Sequence, residues 1–431
     1  MKKIFAALLI VCAVFMLNAA TLELRTSEFK NYKIGETITF KGTAKADDGT
    51  FLKDGKFKIT LKYCGNDPMG EVEIDLAKGN PFTFTTKLDR AGFVFATPSS
   101  YKTSDGKYNR WKYNANTPYD GGAAVEPEKI RQAGTVPADF AKFWQDGIEA
   151  FKNAKVTVTP DPDTKREGYK VSRIKVDFPD GSGSINGFLS IPDGEGKFPA
   201  AVSVPGAGPG TVSPVLYIRP NIKAIELYLN VFPYPTEKTF PEMQKHYNAM
   251  NSKFSTKAYQ REFAWDRDKY TYRKVWLAVS RAVDYVAALP QFDGKNFAST
   301  GHSQGGGTAL AVAYLNKNIS CVASSEPALC DHSGYLEKRQ SGWPALHNTL
   351  KGRADKVSPY FDCATFAAGI KVPCILAVGY VDRTCSPSSV YSAYNNIGAP
   401  KTIIPMYVKG HRISPHAMKL MRRFLDKHLT K

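Results

Sequence analysis

The sequence predicts an antiparallel β-sandwich followed by an α/β domain whose mostly parallel sheet is covered by helices on both faces. Three observations carry this expectation. Residues 21–120 hold short runs of alternating polarity, with Gly, Asp and Asn-rich turns about every ten residues. From about residue 170, strand-like and helix-like segments alternate. At Gly301-His302-Ser303-Gln304-Gly305 a buried strand runs directly into a helix.

The N-terminus opens with Lys2 and Lys3, then an apolar run over 4–17, then Ala19 and Ala20. That is the anatomy of a secretory signal peptide, 1–20, cut after Ala19 or Ala20, and it predicts an exported protein. Residues 21–120 form the predicted sandwich, with strands at 37–40, 57–61, 72–76 and 82–85. The Gly, Asn and Pro-rich stretch 113–127 reads as a linker, and the second domain is placed at 121–431. There, Asp139 is positioned to cap a helix reaching 151. Segments 169–178 and 185–191 suit an antiparallel pair, and 198–204 and 225–231 suit buried strands. A long helix is expected at 270–289, with Val275, Val279, Ala282, Val283 and Val286 on one face. Strand 297–301, helix 304–315, strands 319–325, 372–379 and 402–408, and a last helix ending near His428 complete the series. Residues 329–371 interrupt it, as lids or pocket walls do.

Composition narrows the function. The chain has 431 residues, 43% hydrophobic and 23% charged, which excludes a wholly disordered or fibrous protein. Lys plus Arg is 58 and Asp plus Glu is 40, so the formal charge is 58 − 40 = +18. The charges are scattered and nothing resembles a nucleic-acid-binding module, so no nucleic-acid partner is expected. After cleavage no apolar run is long enough to span a membrane. Six cysteines would remain, irregularly spaced and without a CxxC, so neither zinc nor a named disulfide is predicted. Cys374, in an apolar run, is expected to be a buried free thiol.

The strand–GHSQG–helix segment is the setting of a nucleophile elbow. A sharp turn lifts the Ser303 hydroxyl clear of the sheet, and the flanking glycines let main chain pass without a Cβ. The helix N-terminus aims free N–H groups at a developing oxyanion. A serine needs a base held by an acid, and in α/β-hydrolases these follow the serine in the order acid, then histidine. Asp382 and His411 each follow a predicted strand. Asp362 is the rival acid but precedes its strand, and His416 is the rival base but falls within the final helix. His246, His332, His347 and His428 lack a strand-end setting. The oxyanion donors would be the N–H groups of Gln304 and of Ala207 in the loop 205–208, with Gly208 as the alternative.

These residues resemble carbohydrate esterase family 7, the acetyl xylan esterases and cephalosporin C deacetylases. PADFAKFW at 137–144, YTYRKVWLAVSRAVDYVAALPQFDGKNFASTGHSQGGG at 270–307, SSEPALCD at 324–331 and DRTCSPSSVYSAYNNIGAPKTI at 382–403 carry the resemblance. The family's nucleophile, acid and base fall on Ser303, Asp382 and His411, and its oxyanion donors on Gln304 and Ala207. The resemblance implies an α/β-hydrolase domain behind an immunoglobulin-like one, and removal of small acyl groups, acetyl above all, from plant-polysaccharide sugars. It implies no metal or organic cofactor, and a homo-oligomer is consistent with it. The chain departs from the family at three places. Asn230-Val231-Phe232-Pro233-Tyr234 stands where Arg-Gly-Gln is common, Pro205-Gly206-Ala207 where His-Gly-Tyr is, and Arg412 replaces the Glu after the base. These touch the acyl pocket and the subunit contacts.

Two other readings compete. A prolyl-oligopeptidase-like peptidase shares the motif but needs a propeller longer than about 100 residues. A glycan-binding protein with an idle hydrolase fold would use exposed aromatics, for which Tyr108, Trp111, Tyr113 and Tyr119 are candidates; packing at the domain seam is the plainer role for them.

Overall fold

The structure, a computed structural model, describes residues 20–114, 118–209, 212–231 and 240–430. Residues 1–19 of the expected leader at 1–20, and residues 232–234, lie outside the described residues.

The first part is all-β: β1 (Thr21–Thr26), β2 (Asn31–Tyr32), β3 (Ile38–Lys45), β4 (Lys56–Tyr63), β5 (Asp67–Asp75), β6 (Phe82–Thr86), β7 (Gly92–Pro98), β8 (Tyr101–Lys102), β9 (Tyr108–Asn109) and β10 (Gly121–Val125). They make a three-stranded sheet, β1-β3-β6, and a seven-stranded one in which β2-β10-β7-β4-β8-β9 run side by side and β5 pairs β4. Burial alternates along β1 and β4, so each sheet turns one apolar face inward. Phe57 of one sheet meets Phe82 of the other edge-on, their ring centres 5.8 Å apart.

Two expectations need correction here. The stretch read as a linker contains β10, which pairs β7 antiparallel and β2 parallel. Its sequence, Gly-Gly-Ala-Ala-Val, lacks the bulky residues that usually mark a strand. Small residues are required because the strand is squeezed from both faces. A Cβ on Gly121 would lie 2.8 Å from Phe40, and one on Gly122 would overlap the Tyr380 carbonyl oxygen. The aromatic group near the seam is also dispersed. Trp111 is buried inside the β region, stacked on Tyr101 at 4.4 Å and donating to the Ser99 carbonyl. Tyr108 and Tyr113 are exposed.

The second part is built on β11 (Val156–Pro160), β12 (Tyr169–Asp177), β13 (Ser184–Pro192), β14 (Phe198–Ser203), β15 (Ile225–Leu229), β16 (Phe292–His302), β17 (Cys321–Ser325), β18 (Cys374–Gly379) and β19 (Lys401–Met406). One nine-stranded sheet joins them in the order β11-β12-β13-β15-β14-β16-β17-β18-β19. The ladders from β11 to β15 are antiparallel, and those from β15 to β19 are parallel. The chain reverses its direction of travel across the sheet at β14, and α/β sheets build their sites beyond the strand ends at such a point.

Helices flank both faces: α1 (Phe140–Phe151), α2 (Phe240–Ser252), α3 (Thr271–Ala287), α4 (Gln304–Leu315), α5 (Leu346–Leu350), α6 (Cys363–Gly369), α7 (Pro387–Asn396) and α8 (Pro415–Leu429). Met421 and Leu425 of α8 pack with Ile375 and Ile404 on one face of the sheet. Trp276, Leu310 and Phe366 pack with Phe297 and Leu376 on the other. Residues 329–371 are a packed layer of short helices: Phe361 and Phe366 are fully buried against Trp144 and Trp276. Asp139 precedes α1 but makes no side-chain cap. Its carboxylate binds Arg267 and the Tyr360 hydroxyl instead. All six described cysteines are buried and free.

The two parts meet along the loop after β18. Tyr380 donates its hydroxyl to Asn31 Oδ1 at 2.7 Å and packs edge-to-face with Phe93 at 5.2 Å. Arg383 donates to Thr97 Oγ1 at 2.7 Å and pairs with Asp120. Phe29 stacks on Tyr407 at 5.3 Å.

Candidate active site

Ser303 sits between β16 and α4 with φ 58° and ψ −122°, a strained conformation for a residue with a side chain. The neighbourhood leaves no alternative. A Cβ on Gly301 would overlap the Gly305 main chain, and one on Gly305 would overlap the Val204 carbonyl. The Ser303 N–H donates to Ser325 O at 2.9 Å, and its carbonyl accepts from Gly307 and Ala328, each at 3.0 Å. The turn is thus pinned to the end of β17 and to the loop that follows.

His411 lies beyond β19 with its Nε2 2.8 Å from Ser303 Oγ and its Nδ1 2.7 Å from Asp382 Oδ2. Asp382, fully buried beyond β18, turns Oδ1 to the N–H groups of Thr384 (2.7 Å) and Cys385 (3.0 Å). With Oδ1 satisfied, Oδ2 is left for the imidazole. Pro387 then starts α7, which accounts for the Asp-Arg-Thr-Cys-Ser-Pro order: acid, two amide donors, helix start. Burial alone would lower the pKa of His411, but the Asp382 hydrogen bond and charge outweigh it and the net shift is upward.

The rivals are elsewhere. Asp362 spends both oxygens on the N–H groups of Asp331, His332 and Ala364, the last as the cap of α6. His416 is exposed in the first turn of α8. His347 faces Asp355 at 2.9 Å.

The loop after β14 borders the nucleophile: a Cβ on Gly206 would lie 3.9 Å from Ser303 Cβ. Ala207 is exposed at its tip. The Gly208 N–H, the alternative donor, is directed at the Tyr259 hydroxyl. That hydroxyl donates to Gln304 Oε1 at 2.7 Å, as does Tyr272 Oη at 2.6 Å, while Gln304 Nε2 donates to Pro205 O at 3.1 Å. The Gln304 side chain, wholly buried, therefore ties the 205–208 loop to the first turn of α4. Sequence reasoning missed Tyr259 and Tyr272. Tyr259 lies outside the quoted segments, and Tyr272 shares the 270–307 segment with Gln304 but no spacing rule links the two; only the fold brings them together.

Two groups of side chains around the base could ligate a metal: His302, Glu326 and His411, and Asp382, Cys385 and His411. Both share His411, whose two ring nitrogens are engaged by Ser303 and Asp382, so a cation there would compete with that hydrogen-bonded chain.

Residues 126–428 match the acetyl xylan esterase (AXE1) family. The chain belongs to that family. Among curated proteins it is 30% identical to the acetyl esterase Axe7A of Xylanibacter ruminicola, over 66% of this chain. The chain spans 66% of that relative's length, slightly under two thirds. Among solved structures it is similar to the acetyl xylan esterase from Paenibacillus sp. R4, with a TM-score of 0.58 and 23% identity over 70% of this chain and 99% of that one. It is also similar to acetyl xylan esterase 1 from Thermoanaerobacterium sp. JW/SL YS485, with a TM-score of 0.54 and 19% identity over 70% of this chain and 97% of that one. Those two likenesses establish the α/β-hydrolase fold of this AXE1 family member. Among the described residues no helix is long and apolar enough to cross a membrane.

Proposed function

We propose that this AXE1 family member is a serine esterase that removes acetyl groups from plant-polysaccharide sugars. The single observation that carries the mechanism is the unbroken hydrogen-bonded chain Asp382–His411–Ser303 at the strained elbow. Ser303 Oγ attacks the acyl carbonyl while His411 Nε2 takes its proton. Asp382 holds the ring so that Nε2 is the free base, and it stabilises the imidazolium that forms. The Gln304 and Ala207 N–H groups receive the oxyanion. His411 then protonates the departing sugar oxygen, and water deacylates Ser303 by the same route in reverse. The Tyr259–Gln304–Pro205 hydrogen bonds keep the two donors at a fixed separation while charge develops between them.

The domain reading follows: an exported chain with its leader at 1–20, an immunoglobulin-like sandwich that includes β10, and a catalytic domain from about residue 126. The charge of +18 favours acidic, uronic-acid-substituted polysaccharide near the surface. A propeller-dependent peptidase is not supported, because the β region forms two packed sheets rather than radial blades. The burial of Trp111 removes the central member of the aromatic platform that a sugar-binding role for the β region would need.

The test is acetate release from acetylated xylo-oligosaccharides by the intact chain beside its Ser303→Ala variant. Release by the intact chain alone supports the reading. Serine-dependent hydrolysis of p-nitrophenyl acetate without release from the oligosaccharide keeps the chemistry and moves the substrate. Equal release by both proteins overturns it.

A further inference from the structure

The site holds a second buried carboxylate that the mechanism above does not use. Glu326 stands directly after β17, as Asp382 stands after the neighbouring β18. Its φ is 45°, and its N–H is bonded to Ala377 O at 2.8 Å. The side chain has no exposed surface, and Oε2 lies 3.2 Å from His302 Nδ1, a separation that lacks hydrogen-bond alignment. Ligand atoms of His302, Glu326 and His411 all lie within 4.8 Å of one another. The His302 ring is 4.8 Å from that of His411, tilted by 38°. Gly379, at the end of β18, admits the carboxyl, since a Cβ there would be 2.9 Å from Glu326 Oε1.

A buried carboxyl without good partners is costly, and such groups concentrate at functional sites. We propose that Glu326 is a positioning residue and reserve acid for His411, holding a carboxyl beside the imidazole from β17 while Asp382 bonds it from β18. The inference rests on the reading of His411 as the base for Ser303.

The groups facing Glu326 come from every side. His302 approaches from β16, Asp382 and Cys385 from the loop after β18, and His411 with the Arg412 N–H from the loop after β19; Tyr217 lies further off. Burial first, and the Asp382 charge second, hold the Glu326 proton on, well above the usual carboxylate range. Burial and the nearby His411 push His302 down to about 3, so it is neutral. Two adjacent carboxylates do not both ionise readily. When Asp382 is replaced by a neutral residue, that repulsion goes, and Glu326 ionises at lower pH to become the acceptor for His411.

The experiment compares full-length Asp382→Ala, Glu326→Gln and the double variant, with kcat and KM for p-nitrophenyl acetate followed from pH 5 to 10. Asp382→Ala should lose about 10²-fold in kcat and the double variant about 10⁴-fold, the loss typical when an acid's orientation of histidine is gone. The residual activity of Asp382→Ala should rise with pH as Glu326 ionises, and the double variant should lack that limb. Equal activity and equal pH profiles for the two would overturn the proposal. Should Asp382→Ala fail to fold, Asp382→Ser in both backgrounds makes the same comparison. Glu326→Gln alone is the control for the double variant: a loss as large as that of the double variant while Asp382 is intact would mean a merely structural role and would overturn the proposal. An active Ser303→Ala protein would sink the serine mechanism itself, a failure distinct from these.

Discussion

The nucleophile and the acid differ in what braces them. Ser303 is fixed wholly from within the α/β part, by the β17 end, by α4 and by the glycines that let them close up. The Asp382 loop is bonded within that part too, through Tyr380 N–H to Met406 O and Val381 N–H to Lys409 O, but it is also held from outside it. Tyr380, two residues before the acid, bonds Asn31 and packs on Phe93, and Arg383, just after it, reaches Thr97 and Asp120. The β region contributes no side chain to the hydrogen-bonded chain Asp382–His411–Ser303, yet it braces one of its three corners. An appended domain can therefore matter to catalysis without touching substrate.

The contrast can be broken or sharpened by experiment. The largest effect belongs to the internally held corner: Ser303→Ala should lower kcat by about 10⁴-fold or more and leave the thermal melt unchanged within a degree or two. Next is Gly122→Ala in the β region. Its methyl group would overlap the Tyr380 carbonyl, so the seam must shift, at about 1–3 kcal/mol of stability. A melting curve should show the loss and a kinetic assay a lower kcat; a neutral result would show that the brace is slack. Arg383→Ala should cost about tenfold in kcat at nearly constant KM. It also leaves Asp120 buried without its cation, which should lower the melting temperature; Arg383 is half exposed, so the stability loss should stay below that of a fully buried pair. The smallest expected effect is on pH. His411 must be neutral to act as the base, and the Asp382 hydrogen bond and charge raise its pKa above the ordinary imidazole value. Activity should therefore fall as pH drops through a midpoint above that of a free imidazole, and Arg383→Ala should move that midpoint down toward it if the loosened Asp382 holds the imidazolium less well.

The order of the α/β elements was legible because buried parallel strands are short apolar runs and the long helix α3 shows a 3.6-residue period, while α4, buried almost all round, followed from the elbow that opens it. Helix α4 spans the predicted residues, and Ser303, Asp382 and His411, separated by dozens of residues, stand together as the strand-end rule requires. The elements that were missed share a cause. The strand β10 is made of small residues because both its faces are crowded, so it reads as a turn-rich linker. Helix α2 has a weakly apolar face and gave no clear period. Asp139 has the residue type of a cap, but Arg267 and Tyr360, far along the chain, claim its carboxylate. Glu326, His302, Tyr259 and Tyr272 follow no spacing rule, since their association exists only once β16, β17 and the 253–270 segment are in place. Local patterns report what a residue does to its own backbone, and these residues act on one another across the fold.

The packing of Gly122 against the Tyr380 carbonyl has an evolutionary consequence. Main chain meets main chain there, with Phe93 laid against Tyr380 and Tyr391 beside it. Removing the β region would expose a cluster of aromatic rings next to the acid loop, an aggregation-prone patch on an otherwise well-packed domain. Once such a seam has formed, losing the accessory domain exposes apolar surface and unbraces the acid loop together. The domain becomes entrenched: retained because its host has grown to depend on its presence, whether or not it ever acquires a ligand of its own.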